Sequence, residues 1–130
     1  MSTVYPDIVA LLVAYLDPLT TVRVASDVPN PRPTELIQVR RVGGTQLRPV
    51  RDKPRVDFIV WAATSPRATE IADLVRNAVH QLAGTDTLGP VVYRVEETLG
   101  PRKLDDPLTG TPRVLQTHSI DVRADAAIAP

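Results

Sequence analysis

The chain has no cysteine. That excludes disulfide staples and thiolate metal sites, and it fits a reducing compartment. There is no excess of charge either, because 15 basic residues offset 15 acidic ones. Attraction of the whole molecule to nucleic acid or to an anionic membrane is therefore not expected, while local patches stay open. Long apolar runs are missing too. Ile8 to Leu16 is the longest, far short of the ~20 residues that a membrane span needs. The start, Met1-Ser-Thr-Val-Tyr-Pro-Asp, lacks the basic region of a secretory signal. The expectation is a soluble intracellular product without a membrane partner.

What remains is one domain's worth of chain, 130 residues, long enough to bury a core without staples. Asp7–Leu16 reads as a helix, with Pro6 and Asp7 at its start and Asp17-Pro18 stopping it. Its apolar residues circle the helix instead of forming one stripe, so more than one side should be covered. Thr21–Ser26 reads as a short strand leading into the proline-rich loop Asp27–Pro33. Leu36–Val42 reads as a strand closed by a Gly43-Gly44 turn. After the basic segment Gln46–Arg55, Val56–Thr64 is the most apolar strand and belongs at the centre of its sheet.

Ser65–Ala83 carries the clearest helix signals: Ser65 as N-cap, Pro66 in the first turn and Gly84 past the end. Ile71, Leu74, Val75, Ala78, Val79 and Leu82 form its apolar stripe. Val91–Thr98 and Val114–Ala124 alternate as strands around a long loop, Gly100–Pro112. The element order is α-β-β-β-α-β-β. An α+β domain over residues 1–124 follows, with one largely antiparallel sheet of about five strands and both helices on one face. Residues 125–130 should form a frayed tail.

No catalytic arrangement emerges from these elements. His118 and Ser119 are strand neighbours that point to opposite faces, and His118 shares a face with Ile120, as a packed or interfacial histidine would. His80 lies on the polar side of its helix with Asp73 seven residues earlier, and one histidine with one distant carboxylate is not a zinc site. Glu96-Glu97 is a strand pair that diverges, so it is no acid/base dyad. Asp105-Asp106 reads as solvated loop acids. No GxGxxG or GxxxxGKS/T phosphate cradle is present. No catalytic residue, metal site or cofactor is expected.

Two features are less ordinary. Six basic residues, Arg40, Arg41, Arg48, Arg51, Lys53 and Arg55, stand close together with one acid, Asp52. The run suits a solvated arm, docking onto an acidic protein, or phosphate contact. It has no aromatic residue for base stacking. The second feature is the apolar strand, where Phe58, Val60 and Ala62 can face the helices. That sends Ile59, Trp61 and Ala63 to a face with no helix left to cover it. Such a patch is a candidate subunit interface, unless the phase is reversed or a loop folds over the tryptophan.

The runs VASDVPNPRPTELIQVRRVGG, VDFIVWAATSPRATEIADLVRNAVHQLAG and VYRVEETLGPRKLDDPLTGTPRVLQTHSIDVRA resemble tail-terminator proteins (also called minor tail or tail-completion proteins) of siphophages, especially those infecting actinobacteria. The likeness spans Val4 to Ala124 and lies in whole segments, not in a chemical motif. It implies a virion protein of the tail and neck, assembled in the host cytoplasm as a hexameric ring. Such a ring caps the head-proximal end of the tail tube, stops its polymerisation and joins the head–tail connector or stopper protein. Genomic DNA passes through the lumen as cargo. The family has no catalytic residues. The expected axial contacts are Arg48, Arg51, Lys53, Arg55, Arg102 and Lys103, carried on two arms, Gln46–Arg55 and Gly100–Pro112. The alternatives are another neck subunit, such as a head–tail connector or head-completion protein, and a small nucleic-acid-binding protein.

Overall fold

A computed structural model of the chain describes residues 2–47 and 50–127. The elements in order are β1 (Ser2–Val4), α1 (Ile8–Leu16), β2 (Arg23–Ala25), β3 (Leu36–Leu47), β4 (Arg51–Trp61), α2 (Ser65–His80), β5 (Val92–Lys103), β6 (Arg113–Arg123) and β7 (Asp125–Ala127). The five-stranded main sheet runs β2-β3-β4-β6-β5. It is antiparallel except where β2 pairs parallel with β3. The α+β class and the α-β-β-β-α-β-β order of the main domain are those the sequence implied. Strands β1 and β7 add a small antiparallel ribbon. Asp125–Ala127, expected to fray, are thus paired with Ser2–Val4, and the remainder of that tail lies outside the described residues.

Both helices lie on one face of the sheet. Helix α1 is capped by Asp7, whose carboxylate accepts the Ala10 N–H at 3.2 Å. Ile8, Leu12 and Leu16 are buried, while Val9, Leu11, Val13 and Tyr15 pack half-buried around them. The girdle of apolar residues is therefore partly used, and the Tyr15 hydroxyl donates to Ala78 O at 2.7 Å to tie α1 to α2. Helix α2 is capped by Thr64, not Ser65: its hydroxyl oxygen accepts the Arg67 N–H at 3.3 Å, and Ser65 and Pro66 form the first turn. The buried stripe is Ala68, Ile71, Ala72, Val75, Ala78 and Val79. Leu74, assigned to it from spacing alone, is 36% exposed. Alanines on the inner side let the helix lie close to the sheet and leave Leu74 outside the contact. Beneath the helices lie Ile37, Val39, Val56, Phe58, Val60, Ile120 and Val122, all fully buried.

The central strands are longer than their apolar cores suggested. Strand β3 does not turn at Gly43-Gly44 but passes through it, and the register against β4 shifts between Arg41 and Gly44. The pair is a β-bulge. Both glycines adopt positive φ, 115° and 111°, a region that residues with a side chain rarely adopt and only with strain. A Cβ on Gly44 would lie 2.2 Å from Lys53 O, whereas one on Gly43 would meet nothing within 4 Å. Gly44→Ala is accordingly expected to destabilise by at least ~2 kcal/mol, and Gly43→Ala by less, since only φ strain remains there. Denaturant midpoints of the two variants measure the difference.

Strand β5 likewise continues past Gly100-Pro101 to Lys103, with register shifts on the way. The long loop shrinks to residues 104–112. The sheet thus carries two hairpins, β3–β4 and β5–β6. Arg51 pairs with Arg123 at one end of β4, and Trp61 pairs with Arg113 at the other. The two hairpin tips therefore point in opposite directions. The 11 residues of β4 between those ends span about 35 Å.

Candidate functional site

Register assigns side chains to faces, because directly paired residues share one. Phe58, Val60 and Ala62 enter the helix-side core, and Ile59 and Trp61 go to the opposite face, the phase expected from the sequence. Ala63 does not join them. It follows the end of β4 and is exposed.

The expectation that this face is uncovered at Trp61 needs correction. Ile59 and Trp61 are only 5% and 8% exposed, clustered with Leu36 and Leu115. Arg32, from the proline-rich loop, and Arg113, from β6, place their guanidiniums 5.0 and 4.8 Å from the indole centroid. Cationic groups over an aromatic face are attracted by its quadrupole, so the chain covers its own tryptophan. Beside the cluster lies a groove of about 380 Å³ lined by Gln38, Arg40, Ile59, Trp61, Arg113 and Leu115 among others. The indole N–H has no hydrogen-bond partner among the described residues.

The rest of the face is basic. Arg40, Arg51, Lys53, Arg55, Arg94, Arg102, Arg113 and Arg123 lie on it, with Asp57, Glu96 and Asp121. These are eight basic side chains against three acids. This sheet face is thus basic although the whole chain carries no net charge.

Not all of this charge is available to a partner. Arg51 donates from Nε and Nη2 to both oxygens of the buried Asp121 carboxylate and lies 4.8 Å over the Tyr93 ring. Lys53 pairs with Glu96 at 3.4 Å, Arg40 with Asp57 at 3.4 Å and Lys103 with Asp105 at 3.7 Å. Arg55 and Arg102 are exposed and form no ion pair among the described residues. Arg48 lies outside those residues. The basic segment is thus mostly an ordered hairpin whose charges partly hold the fold, not a loose arm.

The opposite tip, residues 104–112, is held by its own hydrogen bonds. Asp106 accepts from the Thr109 N–H at 3.2 Å and from its hydroxyl at 2.6 Å. The Gly110 N–H donates to Asp106 O at 2.8 Å, and Asp106 N–H donates to Thr111 O at 3.0 Å. The Thr109 hydroxyl above all, with the Thr109 and Leu108 N–H groups and the nearby Arg113 charge, holds the Asp106 carboxyl below the usual carboxylate range. Asp106 is therefore the post of a tight turn instead of a merely solvated acid. At its apex Leu108 is 93% exposed.

A second grouping was not read from the sequence. Register places Glu97 opposite His118 on the helix side, and His80 closes over them from the last turn of α2. His118 is fully buried, as its shared face with Ile120 implied. His80 is exposed, and its nearest acid is Glu97, at 3.9 Å, not Asp73. Arg76 holds Glu97 through Nε and Nη2 at 2.6 and 2.8 Å, which lowers the carboxyl pKa of Glu97. Glu96 faces the other side, as alternation required.

Among the described residues no helix is long and apolar enough to cross a membrane. No protein-family model and no curated protein matches the chain.

Proposed function

We propose that this chain is a ring-forming structural subunit that caps the head-proximal end of a siphophage tail tube, stops its growth and joins the head connector. The observation that carries the reading is the pair of hairpins, β3–β4 and β5–β6, directed to opposite ends of one sheet. A terminator must touch the tube on one axial side and the connector on the other, and opposed tips supply one contact for each. One tip is basic, suited to an acidic partner surface. The other presents Leu108 on a turn that is already ordered, so little conformational freedom is lost on docking. Lateral contacts between copies have a candidate in the apolar groove beside α1, lined by Val9, Ala10, Val13, Ala14 and Ala25 among others. A head-to-tail contact closes into a hexamer only if it rotates each copy by ~60°. The segment-level likeness described above points the same way.

The test is electron microscopy of the purified protein, alone and mixed with tail tubes, alongside sedimentation. Closed sixfold rings seated on tube ends are expected. Leu108→Asp should leave the unfolding free energy within about 0.5 kcal/mol of the parent, yet abolish one axial attachment. Arg55→Glu should weaken the other. Triple reversal of Arg48, Arg51 and Lys53 is a poor probe, because a glutamate at 51 would face the Asp121 carboxylate. A chain that stays monomeric and ignores tubes would end the proposal.

The basic face supports a second reading, direct binding of duplex DNA. Affinity that falls steeply as salt rises from about 50 mM would favour it.

A further inference from the structure

Three potential ligands converge from three elements at the C-terminal end of α2. His80 is the last residue of α2, Glu97 lies in β5 and His118 lies in β6. Their ligand atoms all lie within 4.8 Å of one another. We propose that His80, Glu97 and His118 form a binding site for a divalent transition-metal ion of borderline softness, Zn2+ foremost.

The donor set is the first argument. Two imidazoles and one carboxylate suit zinc and leave further positions for water. The exposed edge of His80 faces solvent, so an ion has an entry path.

The second argument is the tautomer of His118. Gln116 donates its side-chain N–H to Ala72 O at 2.9 Å, which turns its carbonyl oxygen to His118 Nε2 at 2.8 Å. Nε2 must then carry the proton, and Nδ1 is left as a bare lone pair. That atom is buried and has no hydrogen-bond partner among the described residues. A fully buried imidazole nitrogen without a partner is costly unless something occupies its lone pair. The Gln116 contact also has the form found behind metal-bound histidines, where the distal ring N–H donates to an oxygen that fixes the ring. Burial keeps His118 neutral near pH 7, and His80 and Arg76 favour the same state.

Tetrahedral coordination at ~2.1 Å brings ligand atoms to ~3.4 Å apart, so donors that lie within 4.8 Å of one another must close by up to about 1.4 Å. The exposed His80 side chain can supply that movement. Arg76 is the competitor, since it already holds Glu97.

The experiment uses the full chain, stripped with chelator, at pH 7.5. Co2+ is followed by visible absorption and Zn2+ by calorimetry. One ion per chain is expected, with thermal stabilisation of roughly 5–10 °C at a hundredfold excess over Kd. His80→Ala, an exposed change, and Glu97→Gln, at a half-buried position, should each weaken binding by about tenfold or more. Arg76→Gln should tighten it, because the carboxylate is released. Nitrogen NMR of the wild type should show His118 Nδ1 perturbed by zinc while Nε2 keeps its proton. The proposal is overturned if the folded wild type gives neither a cobalt spectrum nor heat with zinc. It is also overturned if His80→Ala binds as tightly as the parent, or if Arg76→Gln loosens binding.

Discussion

Trp61→Ala is expected to lower folding stability by about 3 kcal/mol, the low end of the range for removing a buried large aromatic. The side chain is 8% exposed and fills a cluster with Leu36, Ile59 and Leu115. Its loss leaves a void and strips Arg32 and Arg113 of the ring they cover. Each of those arginines, replaced singly by Ala, should cost only about 0.5–1 kcal/mol, because both stay partly in solvent and a solvated cation over a ring contributes about that much. Denaturant unfolding followed by far-UV circular dichroism separates the three variants. The structure reverses the order of effects expected from an open patch, in which self-association would fail before folding. An oligomer that dissociates while the Trp61→Ala midpoint stays put would mean that the face is open after all.

Acid should destabilise the fold well above the range where carboxylates titrate. His118 is fully buried, and burial above all pushes its pKa down to about 4 from the ordinary 6.5. His80, Arg76 and Glu97 are the charged or titratable groups that face it, and of these only Glu97 favours the protonated ring. The folded chain therefore holds this histidine neutral, while the unfolded chain takes up a proton as pH falls through 6.5. Between those two values the unfolded state binds more protons, so stability rises with pH across the window and is lost on acidification. The loss between pH 7.5 and pH 5 should be about 2 kcal/mol, and a shift of this size is worth about 3 kcal/mol once fully developed. Urea midpoints in the presence of chelator measure it. His118→Gln should flatten the profile between pH 5 and 7, whatever its absolute stability. Equal slopes for the two proteins would place the proton uptake elsewhere.

Local signals carried the architecture. The stop at Asp17-Pro18, the Pro66 start and the alternation in β5 and β6 act over a few residues, and each marks a real element. The errors arise where one signal has two meanings or where the partner is distant. Gly43-Gly44 supplies positive φ, which a turn and a bulge need alike, and only pairing with Lys53 and Pro54 separates them. The distal halves of β3 and β5 are polar because both of their faces meet water, so no apolar rhythm marked them as strand.

At the candidate sites the limit was distance along the chain. Phase put Trp61 on the correct face, but the loop that covers it is held by Arg32, 29 positions earlier, and β6 adds Arg113, 52 positions later. The grouping of His80, Glu97 and His118 spans three elements. One sign of it was present: Glu97 alternates onto the face of Val95, and His118 onto that of Ile120. Joining those faces required the β5–β6 register, which no local pattern supplies.

The opposed hairpins also have a mechanical consequence. Among the described residues the strand-to-strand link between them is the β4–β6 ladder, whose hydrogen bonds run perpendicular to the strands. A pull applied between the two tips slides β4 along β6 and loads those bonds together in shear, instead of unzipping them one after another. Such a fold is stiffest along the line that joins its two hairpin tips.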